Sequence, residues 1–174
     1  MALIATSLPL MAQDNTDKDN PFFNYKNWKT PHGTYPFEQI KPEHYMPAFE
    51  EAMRLGLKEI DDIANNPKAP TFQNTIEAYE KSGQMLSVVA SCFYNLTSAE
   101  TNDQLQQLEM QLSPKMSEYS SSIRLNEKLF QRIKAVYDNR QKLKLTKEQA
   151  KMLDDIYESF ANNGANLPPK NNLK

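Results

Sequence analysis

The residues of this chain that could do chemistry are few. It has two histidines, His32 and His44, twelve residues apart, and one cysteine, Cys92. His44 follows Glu43, and that pair is the nearest approach to a metal fragment. A zinc site needs three or four ligands, and nothing at a helical spacing completes this one. The pair therefore reads as a surface or interface histidine. A nucleophilic cysteine needs a base close by to make its thiolate. Cys92 lies within an apolar helical pattern and reads as a small buried side chain. Three carboxylate pairs occur, Glu50/Glu51, Asp61/Asp62 and Asp154/Asp155. Neighbours on a helix point about 100° apart, so these pairs do not face each other and read as solvated surface. Asn95-Leu96-Thr97 matches a glycosylation sequon, but Leu96 falls on an apolar stripe and the match is discounted.

Longer motifs are missing too. No Gly-rich phosphate loop, no GxSxG elbow and no HExxH is present. No catalytic, cofactor-binding or metal-ligating role is assigned to any position. With 20 basic and 22 acidic residues the net charge is −2, interspersed in sign, which gives no electrostatic reason to expect nucleic acid or an anionic membrane as a partner.

The elements that would position any site are helices. Only 4 glycines against 11 prolines argues against hairpin turns. Thr71–Thr97 is the longest patterned stretch. Phe72, Ile76, Tyr79, Leu86, Val89 or Ala90, Phe93 and Leu96 recur in steps of three and four, a single stripe interrupted mildly at Ser82-Gly83. Pro70 blocks extension backwards and Thr71 can cap the first turn. As one helix it would be roughly 35–40 Å long.

Pro42–Asn66 is the first helix, with Tyr45, Phe49, Met53, Leu57, Ile60 and Ala64 on its stripe, and Ala52, Gly56 and Ile63 beside it. Thr101 and Gln104 form a capping box for a helix carrying Leu105, Leu108, Leu112, Met116, Tyr119 and Ile123. The stripe keeps phase through Pro114, which predicts one helix kinked there. Asn126 caps a helix with Leu129, Phe130, Ile133, Val136 and Tyr137 inward. Thr146 and Gln149 form a second box, before Leu153, Ile156 or Tyr157, and Phe160, with a stop at Asn162-Asn163-Gly164. Met85, Met110, Met116 and Met152 read as core filler.

The fold class is therefore all-α: an antiparallel, bundle-like set of helices over 42–167, preceded by an extended arm over 14–41. Phe22, Phe23, Tyr25, Trp28, Tyr35 and Phe37 stud that arm among prolines and would plug it into the helical body. Met1–Gln13 is apolar and too short to span a bilayer. It reads as the end of a secretory signal peptide without its basic n-region, or else as an N-terminal tail. The signal reading places the mature protein outside the cytoplasm, in the periplasm; without it the chain is cytoplasmic. Residues 168–174 form a tail with no recognisable finish.

The wording of the chain carries more than its motifs. NPFF, NWKTPHGTYPFEQIKPEHYMPAFEEAM and EIDDIANNPKAPTFQNTIEAYEKSGQMLSVVASCFYNLTSAET are followed in order by LNEKLFQRIKAVYDNR, LTKEQAKMLDDIYESF and GANL. Together, over roughly Asn20 to Leu167, they resemble the N-terminal region of the thimet-oligopeptidase family of zinc metallopeptidases, on its bacterial peptidyl-dipeptidase branch. The resemblance implies a mainly helical enzyme, several times longer, with a deep channel and a zinc held by two His and a Glu. The zinc-bearing HExxH helix would lie far downstream, so no catalytic residue carries over. It implies a non-catalytic segment that helps wall the channel. The partners it implies are short peptides, cut to release C-terminal dipeptides, and the missing C-terminal catalytic region. The alternative is a stand-alone helical interaction or scaffold module.

Overall fold

Four of the helices begin where a side-chain oxygen takes up a free backbone N–H of the first turn. Thr71 accepts from Asn74, Asn102 from Leu105, Asn126 from Leu129 and Thr146 from Gln149. The computed structural model describes residues 19–99 and 102–162, and within them all regular structure is helical. α1 spans Pro42–Ala64, α2 Ala78–Glu80, α3 Gln84–Ala99, α4 Asp103–Arg124, α5 Glu127–Asp138 and α6 Lys147–Phe160. The all-α expectation holds over this span. Met1–Gln13, Thr101, Gly164 and the tail lie outside the described residues. The helix placed after Thr101 is capped by Asn102 and starts at Asp103. It runs unbroken through Pro114, whose missing N–H does not end it.

Thr71–Thr97 is not one helix. Phe72–Glu77 winds as a wider π-helical turn, α2 adds three residues, and the chain then breaks before α3. The break centres on Gly83, whose φ of 68° suits glycine and strains any other residue. The apolar stripe stays in phase across it but serves two cores. Phe72, Ile76 and Tyr79 join Ile60, Ile63, Leu129, Ile133, Leu153 and Phe160. Leu86, Val89 and Phe93 join Phe22, Tyr45, Phe49, Leu105 and Leu112. α1 spans both, its N-terminal half in one core and its C-terminal half in the other, and packs on α3, α4 and α5.

Two assignments change. Leu57 is 38% exposed, and Gly56 occupies the inward position instead. An added Cβ at Gly56 would overlap the Tyr119 hydroxyl, so glycine is what gives that phenol its place against α1. Met110 is 68% exposed and fills no core, whereas Met85 is buried. The arm is not uniformly extended either. Pro21–Asn27 and Pro31–Gly33 are 3₁₀ turns. Phe22 is fully buried against Trp28 and Tyr45, while Phe23 and Phe37 stay exposed.

Candidate functional site

Among the described residues no group of three or more His, Cys, Asp or Glu side chains converges on a point that could hold a metal ion. His44 serves its own helix, where its Nδ1 accepts the Lys41 N–H at 3.1 Å and closes the start of α1. Its carbonyl oxygen accepts from the Asn20 amide at 2.8 Å, which ties the arm to that helix end. His32 sits in the 3₁₀ turn with φ 58°. Cys92 is fully buried, with Sγ 3.5 Å from the Tyr45 hydroxyl. Burial pushes its thiol pKa up, and the Tyr45 contact pulls it only partly back. That environment keeps it a thiol rather than a nucleophilic thiolate.

The carboxylate pairs separate to different partners. Glu50 bonds Lys115 at 2.9 Å, and both Glu51 oxygens bond Arg54 at 2.7 Å. Asp61 accepts from Asn65 and Asp62 from Lys58, each at 2.6 Å. Asp154 stands 3.9 Å from Arg140, and Asp155 pairs with Lys151. Asn95 of the sequon is exposed and Leu96 half-buried.

Two arrangements had no signal in the spacing. The first is a polar waist between the two cores. Glu59 on α1 accepts the Gly83 N–H at 2.7 Å, fixing the break before α3 to α1. Beside it runs a groove of about 370 Å³ lined by Tyr79, Ser82, Ser87, Tyr119, Ser120 and Arg124, among others. Burial raises both phenol pKa values. Glu59 pushes Tyr119 further up and Glu80 does the same to Tyr79, while Arg124 draws Tyr79 partly back. Both phenols are thus neutral hydrogen-bonding groups near neutral pH. The groove presents serine and tyrosine hydroxyls and the Arg124 side chain.

The second is a network around Arg132 of α5, which is buried and has no carboxylate partner among the described residues. Its guanidinium donates to the carbonyls of Asn66 and Lys68 at 2.8 and 3.0 Å. It also reaches Asn74 Oδ1 at 3.1 Å and Thr75 Oγ1 at 3.4 Å, and its Nε has no hydrogen-bond partner among the described residues. Asn74 is the second hub: its Oδ1 accepts the Thr71 N–H at 2.8 Å, and its Nδ2 donates to the Ala69 carbonyl at 2.9 Å. Together they pin the loop after α1 to the π turn and to α5. A guanidinium's planar fork of donors suits such a spread of acceptors.

No helix among the described residues is long and apolar enough to cross a membrane. No family model matches the chain. Among curated proteins it is 42% identical over 138 residues to a dipeptidyl carboxypeptidase of Escherichia coli (strain K12), covering 79% of this chain and 20% of that protein. It is 44% identical over 131 residues to the dipeptidyl carboxypeptidase of Salmonella typhimurium, covering 75% and 19%. Oligopeptidase A of Escherichia coli is 25% identical over 139 residues, 80% and 20%. The chain thus spans about a fifth of the length of these relatives. On this similarity the chain is a segment homologous to part of the dipeptidyl carboxypeptidases and, more distantly, to part of oligopeptidase A, in keeping with its resemblance to the thimet-oligopeptidase family.

Proposed function

We propose that this chain is the non-catalytic N-terminal helical segment of an exported, peptidyl-dipeptidase-like zinc metallopeptidase, where it helps wall the channel that admits short peptides. The observation that carries the reading is the 42% identity to a dipeptidyl carboxypeptidase over 79% of the chain. The described residues do not fit a zinc site: His44 is spent on its helix start, Cys92 is buried and the carboxylate pairs diverge. The metal and the base that activates its water would therefore belong to the region this chain does not cover. What the chain can offer a peptide is the waist, whose hydroxyls and Arg124 suit carbonyl and carboxylate groups. Export rests on the apolar stretch Met1–Gln13.

A second reading, a stand-alone helical module, is favoured by one observation: both cores close around fully buried residues such as Phe22, Tyr45, Ile133 and Phe160. Reading the DNA beyond the codon for Lys174 separates the two. An open frame encoding HExxH supports the metallopeptidase segment. A stop codon with stable expression of the short product overturns it in favour of the module.

A further inference from the structure

A groove of about 600 Å³ lies along the N-terminal half of α1, lined by Phe23, Pro47, Leu55 and Met85, with Glu50, Glu51 and Arg54 at its polar side. It continues past Phe23, Leu55 and Met85 into a smaller depression of about 290 Å³ beside the turn Pro21–Asn27. The acidic side chains along it already have partners, Glu50 with Lys115 and Glu51 with Arg54. An apolar centre bordered by satisfied charges is the anatomy of a protein interface.

Phe23 is 39% exposed, while its neighbour Phe22 is fully buried. The turn that displays it is held firmly. Asn20 Oδ1 accepts the Phe22 N–H at 3.1 Å, Asn20 Nδ2 donates to His44 O at 2.8 Å, and the Trp28 indole N–H donates to Pro21 O at 3.0 Å. A ring already fixed in place loses little entropy when a partner covers it, which is what an interface anchor requires.

We propose that this groove is the docking face for the part of the parent enzyme that the chain does not cover, through an apolar segment whose side chains fill the space between Phe23 and Leu55. The inference rests on the proposed function above. The occupant follows from size: the 138 residues aligned with the Escherichia coli dipeptidyl carboxypeptidase are 20% of that protein, so a homologous enzyme has four times as much polypeptide to seat against this segment.

The test is thiol labelling at position 23. Phe23→Cys is placed in the isolated chain and in a chimera where this chain replaces the aligned 138 residues of the Escherichia coli enzyme. Labelling is read by mass spectrometry at that peptide. Cys92 is fully buried and does not compete. The expected result is labelling slower by about tenfold or more in the chimera than in the isolated chain, as for any site that reacts only on opening. Equal rates in a chimera that releases dipeptides overturn this surface and leave the proposed function standing. Slowing that appears instead as the isolated chain is concentrated makes a second copy the occupant and also overturns it. A chimera that folds but releases no dipeptides overturns the proposed function and the surface with it.

Discussion

Arg132 ties three segments of this fold together through one side chain. Burial lowers its pKa, and the oxygens it donates to among the described residues are neutral. Replacing it removes the donors to the Asn66 and Lys68 carbonyls and to the Asn74 and Thr75 side chains. Arg132→Met is therefore expected to cost about 2–3 kcal/mol, read as a lower urea midpoint at unchanged m. Arg132→Lys should recover only part of this, because an ammonium cannot reproduce the fork. An unchanged midpoint in Arg132→Met would show that the network is ornamental. Nothing in the sequence marks Arg132, because its partners lie 57 to 66 residues away. Tyr45 carries a second prediction. Burial, then the hydrogen bond with Cys92, raises its phenol above the ordinary value near 10. A raised acid favours the fold while protonated, so its contribution is complete below the unfolded pKa and is lost as pH rises beyond it. Stability should stay level up to about pH 8 and fall above it, first as unfolded cysteine ionises near about 8.5 and then more steeply as unfolded tyrosine does near about 10. Tyr45→Phe should flatten part of that fall. An identical alkaline profile in the variant would contradict the assignment.

Among elements, the waist decides how the helices meet. Gly56 admits Tyr119, and Glu59 holds Gly83. Gly56→Ala should cost about 1–3 kcal/mol by pushing its Cβ into the phenol oxygen. In Tyr119→Phe that oxygen is gone, so the alanine should cost markedly less there, and a double-mutant cycle from denaturant midpoints measures the coupling. Strict additivity would mean the close approach is not what Gly56 serves. Helix starts were legible because capping is local: Thr71, Asn126 and Thr146 each cap where the spacing places them. The inward residue near the middle of α1 was not, because Gly56 and Leu57 both suit a three-to-four step and only contact with α4 chooses. The break at Gly83 was hidden for a related reason. The stripe on either side stays in phase, so periodicity cannot report that Tyr79 and Leu86 enter different cores.

Taken whole, the described residues form two cores along one spine, with a polar waist between them and an apolar groove along the N-terminal half of α1. The family was legible in the wording of six ordered stretches, and the all-α class in the stripes and caps. No site was legible, since the grooves are made by residues distant in sequence, such as Phe23 beside Met85 and Tyr79 beside Tyr119. The proposed function makes this chain a segment of a peptidase whose chemistry lies elsewhere. The most direct measurement is dipeptide release from a short peptide, followed by mass spectrometry, for the purified chain and for the chimera with the Escherichia coli dipeptidyl carboxypeptidase. No cleavage is expected from the chain alone with zinc supplied, and chelator-sensitive release of C-terminal dipeptides is expected from the chimera. Chelator-sensitive cleavage by the chain alone, or a folded chimera without activity, would contradict that function.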